Sequence, residues 1–171
     1  MRRVAGVVIV LVFAVFIPQR GTAQDTTPAF ADAVKRALAD PTSYAPALLS
    51  YGSQRLDWSS SQVFFAHGSL EHNAAFTISG RPDDQPIGFG AGNRRILGES
   101  LLVLQASLVN NIADRLVEDA LARRYPSHRK LFKTLGWVER LVMASYLGYQ
   151  TSILHFEQWQ TNRQAAERLG Y

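Results

Sequence analysis

The 171-residue chain has no cysteine. That excludes disulfides, thiolate metal sites and cysteine nucleophiles. It is compatible with an oxidising compartment without requiring one. Other signatures are missing too. The glycine-rich stretch Gly88-Phe89-Gly90-Ala91-Gly92 is followed by Asn93-Arg94-Arg95, with no Lys-Ser or Lys-Thr, so it is not a phosphate-binding Walker loop. Its spacing and surroundings do not fit a dinucleotide fingerprint. Ser69, Ser79 and Ser100 lack the Gly-x-Ser-x-Gly elbow of serine hydrolases, and no His-Glu-x-x-His occurs. A basic surplus is nearly absent once the leader is set aside. Arg2, Arg3 and Arg20 account for three of 18 basic residues, leaving 15 against 14 acidic ones. A nucleic-acid partner, which needs a basic face over the whole domain, is therefore not expected.

What is present begins with a leader. Met1-Arg2-Arg3 is a positive n-region, Val4–Ile17 an apolar run, and Gly21-Thr22-Ala23 a small-residue cleavage site. This is the pattern of a signal peptide spanning 1–23, with residues 24–171 as the exported domain. An uncleaved membrane anchor is the alternative.

The remainder predicts an all-α fold, a small helical bundle built on a long antiparallel helix hairpin. Helices are expected at about 29–39, 46–66, 96–123 and 131–159, with an irregular Gly/Pro-rich connector over 80–95. Phe30, Val34 and Leu38 recur at spacing four in the first, and Leu56, Val63 and Phe64 are the expected buried side of the second. In the third, Leu97, Leu101, Leu104, Leu108, Ile112, Leu116 and Ala120 run down one side, while Asn111, Asp114, Arg115, Glu118 and Asp119 collect on the other. Between Leu141 and Phe156 no residue carries a formal charge apart from what His155 holds.

Trp137 and Trp159 bracket that run, about 33 Å apart along a helix. This is close to a bilayer's hydrocarbon thickness, so the two tryptophans are candidate membrane-interface residues. The turn between the hairpin helices carries Arg123, Arg124, Arg129, Lys130 and Lys133 and no acid. By the positive-inside rule the turn 123–133 is cytoplasmic if the hairpin is inserted, with Ala23–Arg95 outside. Asp114 and Arg115 would then need pairing inside the membrane. The competing expectation is a soluble exported bundle whose apolar stripes pack on each other.

Arg94 and Arg95 stand where a helix begins and oppose its dipole. Either Glu99 offsets them or they contact an anion such as a lipid headgroup, making anionic lipid or a membrane protein the expected partner. Asp57, Glu71 and His72 are the candidate catalytic groups of a small hydrolase or metal-dependent enzyme, a reading set below a non-enzymatic envelope role. Otherwise Asp57, Glu71 and Asn73 join Asp114 and Arg115 as structural hydrogen-bonding residues. His67, His72 and His155 are the histidines available to a metal, but no spacing enforces convergence. Neither metal nor cofactor is expected.

Asp57, Ser60, His67-Gly68, Glu71 and Asn73, followed far downstream by Tyr146, Tyr149 and His155, form a further pattern. It resembles that of small uncharacterised bacterial helical membrane proteins, which carry an Asp on an early helix, hydroxyl residues after it, then Gly-x-x-Glu-x-Asn-Pro, and an aromatic-rich last helix bearing a His. Ala74 stands where that pattern has proline. The resemblance implies a helical membrane protein and no known chemistry.

Overall fold

The computed structural model describes residues 26–171. The expected signal peptide, 1–23, lies outside them. Four helices follow in order: α1 (Thr26–Leu38), α2 (Ala45–Ala66), α3 (Phe89–Arg124) and α4 (Arg129–Leu169). No strand occurs among the described residues, and the fold is an all-α bundle.

Local chemistry explains the joints. Asp40 takes an extended conformation and accepts a hydrogen bond from the Thr42 backbone N–H, and Pro41 follows at the first position of a short 3-10 turn, Pro41–Ser43. Gly68, at φ +87, ends α2 in the left-handed conformation that only glycine adopts without strain. The connector is held by a 3-10 turn at Ala74–Phe76 and two antiparallel bridges, Glu71 with Asp84 and Thr77 with Pro86. Ala75–Ser79 thus begins in that turn and passes through one bridge at Thr77, and no strand forms there.

α3 and α4 make the expected antiparallel hairpin, joined by the basic turn. α2 packs on both. It runs parallel to the second half of α4: Leu49 meets Gly148, Asp57 meets His155, and Phe64 meets Tyr171. α1 lies against the far half of α3, where Arg36 pairs with Asp119.

Two helices exceed their expected lengths. α3 begins at Phe89, so the stretch assigned to the connector up to Arg95 is helix. Gly90 and Gly92 are poor helix formers, but tertiary packing overrides propensity here. The indole of Trp58 lies where a Cβ on Gly92 would stand, and its Nε1–H donates to the Phe89 carbonyl at 3.2 Å. α4 continues past Trp159 to Leu169, and Tyr171 beyond it stacks on His67.

The buried faces are not the expected ones. α3 buries Gly92, Ile96, Ser100, Ser107, Asn111, Arg115 and Glu118, while Leu97, Leu101, Leu102 and Val109 face outward, Leu102 with 66% exposed. α4 buries Gly136, Arg140, Ala144, Gly148, Ser152 and Asn162, and Trp137, Val142 and Tyr149 face outward. α2 buries Ser50, Ser53, Gln54 and Trp58 rather than Leu56, and α1 buries Ala33 and Ala37 rather than Phe30 and Leu38. In α1 and α3 the period holds but the buried face is turned by about one residue. Small residues let the helices approach closely, and polar side chains join them across the interior. An apolar cluster of Trp58, Phe76 and Ile96 fills only the connector end.

Candidate functional site

On α2, Gln54, Asp57, Trp58 and Ser61 are spaced to share one helical face. On α4, His155, Gln158 and Asn162 do the same, at matching height because the two helices run parallel. With Glu71, His72 and Asn73 from the connector they line a half-open cavity of about 450 Å³. Asp57 Oδ2 meets His155 Nδ1 at 2.8 Å. Ser60 and Ser61 donate their hydroxyls to the Asp57 carbonyl at 2.8 and 3.0 Å. Each then accepts from the Asn162 amide nitrogen, at 3.0 and 2.9 Å, and the same nitrogen lies 3.5 Å from Asp57 Oδ1. Ser59-Ser60-Ser61, which breaks the apolar pattern of α2, thus supplies the hydroxyls that seat Asn162.

Glu71 and Asn73 are arranged by their own loop. Glu71 Oε1 accepts from the Asn73 backbone N–H at 2.7 Å, and Asn73 Oδ1 caps the following turn at Ala75. His72 turns to Asp83, which the connector holds at φ 59. His67 stacks on Tyr171, rings 3.9 Å apart. The structure therefore brings Asp57 and His155 into contact, puts Glu71, His72 and Asn73 on the same cavity, and leaves His67 apart. Among the described residues no three His, Asp or Glu side chains gather closely enough to share a metal ion. Gln54, Gln158 and Asn162 were not singled out from sequence. Gln54 and Gln158 stand three residues from Asp57 and His155, and Asn162 stands seven from His155, so they share those faces, but only the register of α2 with α4 brings them together.

A second polar network lies toward the basic turn. Arg140 reaches Asp114 and Glu118, the latter at 3.0 Å, and its Nε is 3.6 Å from Asp40. Arg115 pairs with Asp40, and its Nε donates to Asn111 Oδ1 at 2.9 Å. Asn111 in turn donates to Thr42 Oγ1 at 2.9 Å, and Ser107 donates to the Thr42 carbonyl at 3.2 Å. Burial alone would raise the Asp40 carboxyl. Hydrogen bonds from the Thr42 hydroxyl and backbone, with the charges of Arg115 and Arg140, outweigh it and hold the group below the usual carboxylate range. Gly136 makes room for this network: a Cβ there would stand 2.6 Å from Glu118 Oε2 and 3.1 Å from Arg140 Nη1. Asp114, through Arg140, and Arg115, through Asp40, both belong to this network, which is separate from Asp57, Glu71 and Asn73.

Arg94 and Arg95 are exposed on the early turns of α3. Arg95 is engaged with Glu99 at 3.2 Å and lies over the Phe76 ring. Trp137 is exposed, and Trp159 carries Arg163 over its ring. By length and composition α3 is able to cross a membrane, and only 22% of its most apolar stretch is buried.

No protein-family model matches the chain, and neither a curated protein nor a solved structure does.

Proposed function

We propose that this chain is an integral membrane protein of the cell envelope, with a non-enzymatic binding or scaffolding role centred on its polar interior. One observation carries the reading: apart from Trp58 and Ile96, the helices turn mostly small and polar residues inward and many of their large apolar ones outward. In water that arrangement forfeits the hydrophobic driving force. In a bilayer it is the favoured one, because the outer face meets hydrocarbon and each interior polar group needs a protein partner. The 22 residues of α2 give about 33 Å of helix, long enough to cross, while among the described helices α3 is the one both long and apolar enough. The resemblance noted from sequence points the same way: Asp57, Ser60, Glu71, Asn73 and His155 surround or support one cavity.

The packing constrains topology. α1 is fastened by Arg36–Asp119 and Asp40–Arg115 to the end of the hairpin that bears the basic turn. On this reading α1 shares a side with the basic turn and α2 crosses beside α3 and α4, so the topology we propose differs from the expected one, with Ala23–Arg95 outside and the turn inside. A leader would carry α1 and the turn outward together, and the positive-inside rule would hold both in.

A small hydrolase is the second reading, favoured by the Asp57–His155 pair beside an open cavity. Ser60 and Ser61 are both engaged with Asp57 and Asn162, so water would be its nucleophile. Alkaline carbonate extraction tests the membrane reading. The protein should stay in the pellet and leave only with detergent, whereas release into the wash would overturn it.

A further inference from the structure

The hairpin's basic end carries five exposed cations, Arg123, Arg124, Arg129, Lys130 and Lys133. The carboxylates that neighbouring elements supply are spent on other arginines. Asp32 and Asp119 meet Arg36, Asp40 meets Arg115, and Asp114 and Glu118 meet Arg140. Among the described residues none of the five forms an ion pair with a carboxylate. Arg123 and Arg124 have a local reason to be there, since they close α3 where its dipole favours positive charge. The other three have none. Arg129, Lys130 and Lys133 stand in the opening turns of α4, at the positive end of its dipole, with no acid in the first turn.

A second observation concerns their depth. Lys130, Lys133, Trp137 and Leu141 follow at spacings of three and four, share one face of α4, and are all exposed. Along this face charge gives way to an indole and then to an aliphatic side chain. That is the order of a membrane surface, where Trp sits at the interface and long cationic side chains reach from apolar surface to headgroups. At about 1.5 Å per residue, Lys133 and Lys130 lie about 6 and 10 Å beyond Trp137. A headgroup layer is about 5–8 Å thick, and its charge is felt for about another 8 Å at physiological salt. Both side chains, with Arg129 beside them, are within reach of lipid phosphate.

We propose that this end binds the headgroups of anionic phospholipid, a proposal that rests on the membrane reading. Arg94 and Arg95 offer less, because Glu99 already holds Arg95. A zwitterionic headgroup presents the same phosphate with an ammonium beside it, which the cations repel, so net negative charge is the discriminating feature. An acidic protein segment would meet the charges and leave the graded face from Lys130 to Leu141 without a role.

The test uses the full chain purified in detergent and titrated with phosphatidylglycerol and with phosphatidylcholine, bound lipid being counted by native mass spectrometry. Phosphatidylglycerol should bind at least about tenfold tighter at low salt. One Lys or Arg near an anionic surface is worth about fivefold in affinity, so Arg129→Gln, Lys130→Gln and Lys133→Gln together should abolish the preference. Arg94→Gln with Arg95→Gln should leave it within about twofold. The parent's own salt dependence needs no variant: the preference should fall several-fold between about 0.05 and 0.5 M salt. Poly-glutamate serves as a soluble polyanion. Its binding, removed by the triple substitution and with no preference between the lipids, assigns the surface to an acidic protein and overturns the proposal. A preference that survives the triple substitution or high salt, or that vanishes with Arg94 and Arg95 instead, overturns it too. Alkaline carbonate separates this failure from that of the membrane reading. Release into the wash overturns both, whereas a protein that stays in the pellet and shows no lipid preference overturns the proposal alone.

Discussion

Arg140→Met should be the most damaging single substitution in the interior. The Arg140 side chain is 6% exposed and lies between Asp114 and Glu118, whose side chains are 14% and 5% exposed. Methionine keeps most of the stem's volume and removes the charge. Two carboxylates then face each other with no cation between them, while Asp40 retains Arg115. Breaking a buried pair by deleting one partner costs about 3–5 kcal/mol, because the survivor is stranded rather than because the pair was strongly favourable. That distinction is testable. Combining Arg140→Met with Asp114→Asn and Glu118→Gln removes the stranded charges, and most of the loss should return. Equilibrium unfolding in detergent, followed by helical circular dichroism, reads both. A single variant within about 1 kcal/mol of the parent, or a triple variant as unstable as the single, would refute the view that charge balance holds this end together.

Two further expectations concern close packing and sidedness. Gly92→Ala should destabilise by about 1–3 kcal/mol, the usual cost of overpacking, because the new methyl falls on the rigid indole of Trp58. Gly148→Ala meets only the movable Leu49 Cδ1, at 2.9 Å, and should be nearly neutral; thermal melts in the reverse order would contradict the packing described. Because the chain has no cysteine, single cysteines at Lys35, His72 and Ser127 can be labelled without background in intact vesicles. Lys35→Cys and Ser127→Cys should react from one side and His72→Cys from the other, and labelling of Lys35 and Ser127 from opposite sides would break the proposed topology.

The helical class, the hairpin and the ends of α2 were legible because period, glycine and proline are local signals. The facing of the helices was not. Leu97, Leu101 and Leu108 define a stripe that a reader assuming an aqueous exterior assigns to the core, and Asn111, Arg115 and Glu118 one that reader assigns to solvent. Both stripes are real, and only the solvent assumption decides which points inward. The length of α3 was missed because Gly90 and Gly92 argue against helix locally, and the contact with Trp58 that overrides them spans 34 positions of sequence. At the site, Asp57, Glu71 and His155 stood out by type. Gln54 and Asn162 did not, since an amide on a polar helix face carries no mark until the facing helix is in register.

The two polar networks differ in a way that bears on what the interior does. Toward the basic turn, Arg115 and Arg140 are matched by Asp40, Asp114 and Glu118, and Gly136 leaves no spare volume beside them. That network ties α1, α3 and α4 together, with Arg140 Nε and the adjoining Glu139 Oε2 left without hydrogen-bond partners among the described residues. Toward the connector, the Asp57–His155–Asn162 set opens on a cavity, and the deeply buried Gln54 oxygen has no partner in the chain. Among the described residues Asn93 Oδ1 and Glu139 Oε2 are buried acceptors in the same state, so an unpaired acceptor alone does not set this cavity apart. In low-dielectric surroundings the cost of each grows. The connector-end cavity is the part of the polar interior that stands open, with Asp57, His155 and Asn162 on its wall.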